Sequence, residues 1–195
     1  MKVTKMVSLD TSSTFSGYCL YKNAVRVESG EFVHDPKIEK NADIRKENMC
    51  LDIIQYLNRH KPVIVVAELT VVPRNAGSQR LLSEILGVIW GWCLCNAAEF
   101  VTFRPGEWRR LVADGESVPI RREEAKAWAI HKVSSLYGIH VTDNEAEAIL
   151  IGQARINQFN CVECPHNTVE DAEWFRQDEE QAEKTDIQSI IKTSI

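Results

Sequence analysis

Residues 63–68 read VIVVAE: five consecutive apolar positions, most of them β-branched, closed by Glu68. A strand of that composition is covered on both faces, as a strand in the middle of a layered α/β sheet is. Sheets of this kind bind their ligands at the carboxyl ends of their strands, and Glu68 stands at one such end. The segment therefore sets both the fold class and the first place to look for chemistry.

Working outward, VTKMVSLD (3–10) reads as a second strand that also ends on an acid, Asp10, before the Ser/Gly-rich turn TSSTFSG. YCLYKNAVRVESGEFV (18–33) gives two more strands around a bend at Lys22-Asn23. Strands joined so closely form an antiparallel meander. ADIRKENMCLDIIQYLNRH (42–60) places Ile44, Met49, Leu51, Ile53, Ile54 and Leu57 near helical spacing. GSQRLLSEILGVIWGWCLCNAAE (77–99) predicts a helix apolar almost all round, either central to one core or covered by a partner chain. FVTFRP (100–105) is short and β-like. A further helix lies between Pro119 and Gly138, and a last one covers TDNEAEAILIGQARINQF (142–159). The order β-β-β-α-β-α-β-α-α predicts an α/β fold, a mixed sheet with helices packed on it.

Charge is unevenly distributed. The chain of 195 residues carries −5 overall, yet residues 161–195 alone hold nine Asp/Glu against three Lys/Arg, leaving residues 1–160 at +1. The global acidity thus does not exclude a polyanion as partner. We expect a domain over 1–158 and an acidic extension over 159–195. Cys161, Cys164 and His166 in CVECPH raise a zinc site but lack a clear fourth ligand, and the cysteines read as ordinary buried or exposed thiols. The six cysteines lie mostly inside apolar segments, which favours reduced thiols. The longest nearly apolar run has 14 residues, fewer than the roughly 20 a bilayer needs, and no secretory leader opens the sequence. The expectation is a cytoplasmic protein with no membrane association.

VTDNEAEAILIG (141–152) raises a sharper question, with Asp143, Glu145 and Glu147 loaded onto the head of an apolar segment. Thr142 and Glu145 fit a capping box, and acids in a first turn suit the helix dipole. Glu147 is left over. Its face continues through Leu150, Ile151 and Ala154 toward the sheet, and Asp143 lies on the same line four residues earlier. Two carboxylates at 4–5 Å repel by roughly 4 kcal/mol at an effective dielectric of about 20. Asp10, Glu68, Asp143 and Glu147 together form a hard-oxygen set that suits Mg²⁺ or Mn²⁺ better than zinc.

These residues resemble the RuvC-type Holliday-junction resolvases of the ribonuclease-H-like superfamily, especially phage-borne members, over roughly residues 4–156. SLDTSSTFSGYCLY is similar to the family's first motif, VVAELTVVPRNAGSQRL to the second, and TDNEAEAILIG to the last. The resemblance implies a ribonuclease-H-like fold with a mixed five-stranded sheet, three strands antiparallel and two parallel, flanked by helices. It implies a two-metal nuclease that uses Mg²⁺, with Mn²⁺ substituting, and acts on four-way or otherwise branched DNA. Asp10 would bridge both ions, with Glu68, Asp143 and Glu147 holding them individually. Glu147 stands where the family usually has Asp. Asn144 occupies a position where an acid is common, so either Asp143 replaces it as a ligand, which we favour, or Asn144 ligates through its amide oxygen.

The resemblance also implies phosphate-binding residues. Arg109 and Arg122 match such positions; Arg110, Lys126 and, in the loop after Glu68, Arg74 are further candidates. It implies a homodimer, with Trp90 and Trp92 of the apolar helix as anchors. Rival readings are a ribonuclease-H-like nuclease for flapped substrates and a catalytically weakened DNA-binding relative. An actin-like nucleotide-binding domain is the third, and it wants a second domain that 195 residues do not supply.

Overall fold

A computed structural model describes residues 4–69, 75–119 and 121–161, with Cys161 described through its backbone only. Its elements are β1 (Lys5–Asp10), β2 (Phe15–Lys22), β3 (Val25–Val33), α1 (Ala42–His60), β4 (Ile64–Glu68), α2 (Ala76–Cys95), β5 (Glu99–Phe103), α3 (Pro105–Ala113), α4 (Arg122–Tyr137) and α5 (Asp143–Cys161). Residues up to Phe159 form one compact unit. Arg74, Cys164, His166, the Cys161 side chain and the acidic extension lie outside the described residues. No helix among the described residues is long and apolar enough to cross a membrane.

The five strands run in the order β3-β2-β1-β4-β5. β1, β2 and β3 pair antiparallel, whereas β4 lies parallel to both β1 and β5, the mixed sheet expected from the sequence. The β2–β3 turn is tight because Asn23 and Ala24 both take positive φ, 51° and 64°. Two such residues in succession match the right-handed twist of a two-residue hairpin.

Side-chain alternation sends the strands' two faces into two cores. Val7, Leu9, Leu20, Val65 and Ala67 pack under α1 and α2 with Met49, Ile53, Ile85 and Ile89. Met6, Cys19, Tyr21 and Val66 face α3, α4 and α5, where Trp108, Val133, Ile149 and Leu150 close the opposite core. Both faces of β4 are therefore covered, as VIVVAE demands. α3 lies between the two segments that the sequence marks as β-like (100–105) and helical (from Pro119), and is not expected from it. It has nine residues, with Pro105 at its first turn and the Glu107 carboxylate accepting from the Arg104 N–H at 2.6 Å. α4 begins at Arg122, three residues beyond the Pro119 start expected.

α5 is held unusually close to the sheet. Ser8 Oγ donates to the Ala148 carbonyl at 2.7 Å and Tyr21 Oη to the Ile149 carbonyl at 2.6 Å, so strand side chains bond a helix backbone. Two glycines make room for this. A Cβ on Gly17 would fall 1.9 Å from the Asn144 carbonyl oxygen, and one on Gly152 2.3 Å from the Tyr21 ring. Gly17→Ala must push the first turn of α5 off β2. We expect it to cost about 1–3 kcal/mol, read as a fall in melting temperature of about 3–10 °C. Gly87→Ala, whose Cβ meets nothing within 4 Å, should leave that temperature unchanged or higher.

Candidate active site

The alternation that builds the two cores also aims the acids. Asp10 follows Leu9 and Glu68 follows Ala67, and Leu9 pairs with Ala67 across the parallel β1–β4 ladder. The two carboxylates thus end adjacent strands and lean to the same side, toward α5. There the first turns of α5 deliver Asp143 and Glu147. All four line one cleft of about 1360 Å³, which opens where β1 and β4 end. Residues far apart along the chain are brought together because two parallel strands stop at the same level and one helix starts there.

Burial makes this grouping costly. Glu68 and Glu147 are each only 7% exposed. Burial pushes the Asp10 carboxyl well above the usual carboxylate range, and the neighbouring charges of Glu68, Glu147 and Asp143 push it further, against a smaller opposing pull from Lys126. Glu147 is raised by burial and by Glu68, with Arg109 pulling the other way. Asp143 behaves oppositely. Burial would raise it, but the hydrogen bond and charge of Lys126, with the backbone N–H groups of Asp143 and Asn144, outweigh that and lower it.

Three of the four acids, Glu68, Glu147 and Asp143, already have partners. Trp108 Nε1 donates to Glu68 Oε2 at 2.7 Å, and Arg109 Nη2 to Glu147 Oε1 at 3.0 Å. Arg109 also lies over the Trp108 ring at 4.9 Å, so two adjacent residues of α3 hold an acid from β4 and one from α5. Lys126 of α4 donates to Asp143 Oδ2. Among the described residues, no three acidic, histidine or cysteine side chains close on a common point tightly enough to clasp an ion as they stand. The structure brings together a shared cleft rather than a finished ion cage. The donor set nevertheless fits divalent cations: every candidate ligand is a hard oxygen, and the raised Asp10 and Glu147 carboxyls mark negative charge not fully compensated.

Asn144 and Glu145 have other uses. Asn144 Nδ2 donates to Glu31 Oε1 on β3 at 2.8 Å, so its amide is oriented by a carboxylate. The Thr142 hydroxyl accepts from the Glu145 N–H at 3.3 Å, the first half of the expected capping box. The Glu145 carboxylate, however, accepts from Ser29 Oγ at 2.7 Å, across to β3 rather than back along its own helix.

Among the expected phosphate-binding residues, Arg109, Arg122 and Lys126 line the cleft. Arg110 is exposed and is not among the residues lining it, its Nε bonding the Gly106 carbonyl of its own helix at 3.2 Å. Arg45 lines the cleft from α1 and is not among the residues that the sequence singles out. Trp108 was also missed, although its spacing ahead of Leu111 and Val112 marks an inward face of a short helix. Trp92, expected as an interface anchor, is instead buried at 8% exposure and donates to Asn58 Oδ1 at 2.8 Å within its own core. Trp90 is the exposed one.

No protein-family model matches the sequence, and no curated protein is similar enough to match. Solved structures do match. Thermus thermophilus RuvC in complex with a Holliday-junction substrate superposes with a TM-score of 0.61 at 13% identity, over 80% of this chain and 95% of that one. The yeast mitochondrial Holliday-junction resolvase Ydc2 gives 0.54 at 12% identity, covering 84% and 82%. Fowlpox virus resolvase, in complex with its substrate Holliday-junction DNA, gives 0.50 at 16% identity, covering 78% and 99%. At such identities the likeness is one of fold: the chain has the ribonuclease-H-like architecture that its motifs resembled.

Proposed function

We propose that the protein is a divalent-metal-dependent endonuclease that hydrolyses phosphodiester bonds of branched DNA, with the four-way junction as its main substrate. The observation that supports this reading most is the single cleft in which Asp10, Glu68, Asp143 and Glu147 meet beside Arg109, Arg122 and Lys126. Carboxylates alone would repel a polyanion. Carboxylates beside basic side chains suit a phosphate held against metal. The choice of junction over other DNA is supported by the DNA present in the Thermus and fowlpox complexes.

Asp10, Glu68, Asp143 and Glu147 would hold Mg²⁺, with Mn²⁺ as substitute, and bound ions of this kind supply Lewis acidity and a water activated for attack on phosphorus. The protein's own contribution is positional. Trp108 fixes Glu68 by its Oε2, and hydrogen bonds within Ser12–Ser16, including Ser12 N–H to Ser16 Oγ at 2.8 Å, hold the turn that follows Asp10. Arg109 and Lys126 bond the acids and line the same cleft, and with cations held there their guanidinium and ammonium groups would be free to bond phosphate oxygens instead.

Symmetrical cutting of a junction calls for two such clefts, and we assign a homodimer built on α2. Its outer face carries Trp90 at 55% and Leu94 at 66% exposure, beside an apolar depression lined by Leu86, Gly87 and Phe100. A chain that sediments as a strict monomer at micromolar concentration would remove that assignment. Cys19, Cys50, Cys93 and Cys95 are free thiols, which supports a reducing, cytoplasmic setting.

The experiment incubates the protein with a four-way junction, a flap and a plain duplex, with and without Mg²⁺. Cleavage of the junction only with metal is the expected result. Preferential cutting of the flap would move the substrate, and binding without cutting would mark a non-catalytic relative.

A further inference from the structure

Arg109, Arg122 and Lys126 all belong to α3 and α4, the helices on one face of the sheet. Arg45 reaches the same cleft from α1, in the layer on the opposite face. Its chemistry differs from that of Arg109 and Lys126, which are ion-paired to Glu147 and Asp143. Arg45 Nη1 donates to a neutral group, the Glu39 carbonyl, at 2.6 Å, and its Nε, like that of Arg109, is buried with no hydrogen-bond partner. Among the described residues no carboxylate pairs with it. On its own helix, Asp43 two residues earlier is taken by Lys46 and by Arg80, which lies 2.8 Å away and also holds Glu84. A guanidinium has five donors in a planar fork suited to phosphate, and one carbonyl uses only one of them.

Resting on the nuclease reading above, we propose that Arg45 is a second phosphate-binding position, gripping the DNA backbone from the α1–α2 side while Arg109, Arg122 and Lys126 grip it from the α3–α4 side. The backbone crossing the carboxylates is then held on both flanks, which fixes where along the strand the acids act. A purely structural Arg45, pinning the Glu39 carbonyl, would leave the electrostatics of binding untouched.

The test measures junction binding by the full chain, in Ca²⁺ to prevent cutting, across a series of salt concentrations. Arg45→Ala should weaken binding about tenfold and flatten the log–log salt slope by about 0.9, the loss of one phosphate contact. Arg45→Lys, which keeps the charge, should restore the slope, and Arg80→Ala, an ion-paired arginine of the same layer outside the cleft, should leave it unchanged. If Arg45→Ala fails to fold, Arg45→Gln, which keeps a donor for the Glu39 carbonyl and removes the charge, takes its place. A slope identical to wild type in the charge-removing variant, while Arg109→Ala flattens it, would overturn the Arg45 assignment and leave the nuclease reading intact. Absence of salt-dependent junction binding by the wild type would instead overturn that reading.

Discussion

Asp10→Asn should lower metal-dependent junction cleavage by on the order of 10³-fold while making the metal-free protein more stable. Both effects have one cause. Asp10 stands among Glu68, Glu147 and Asp143, and burial plus their charges raise its carboxyl well above the ordinary range. In the unfolded chain the same group ionises near pH 4. Above that pH the folded state binds more protons than the unfolded one, so stability falls as pH rises through the raised values. Glu147 contributes with the same sign; Asp143, lowered by Lys126, contributes stability that is lost as pH falls. An amide at position 10 removes the largest of these burdens, a gain of about 0.5–2 kcal/mol typical of neutralising a functional charge. It would also remove one of the carboxylates proposed to hold the metal, and with it the Lewis acidity that the bound ion would supply. Thermal melts in chelator from pH 5 to 8, beside single-turnover cleavage, read both. An active Asp10→Asn enzyme, or one less stable without metal, would contradict the assignment.

The second large effect separates Asp143 from Asn144. Asp143 is a carboxylate that Lys126 keeps ionised, and it lies in the cleft with Glu147 one helical turn further on. Asn144 has its amide oriented by Glu31, so its structural use is already plain. We expect Asp143→Asn to reduce Mn²⁺-dependent cleavage about 10²-fold or more, and Asn144→Ala to stay within about tenfold of wild type. An unaffected Asp143→Asn enzyme beside an inactive Asn144→Ala one would transfer the role to the amide oxygen.

What could be read from sequence, and what could not, follows from how local each signal is. VIVVAE announced a doubly covered strand, and the strand-final acids at 10 and 68 announced a ligand end, because pleat and burial are written in consecutive residues. Glu147 stood out since its helical face was otherwise apolar. The partners of these acids were invisible for the opposite reason. Trp108 meets Glu68 across 40 positions, and Ser29 meets Glu145 across 116. α3 was missed because nine residues hold too few turns for a periodicity, although Pro105 and Glu107 mark its start. Trp90 and Trp92 are equivalent by sequence in an all-round apolar helix; packing of the Ile85, Ile89 and Trp92 face on the core, with Asn58 accepting from Trp92, turns that one inward.

Divalent cations bring the whole account to a single observable. Crystals grown with the four-way junction and soaked in Mn²⁺ should give anomalous density at the manganese edge against Asp10, Glu68 and the acids of α5, and that density should vanish in Asp10→Asn. Ordered manganese found only elsewhere on the molecule, with Glu147 and Asp143 still turned to Arg109 and Lys126, would contradict it.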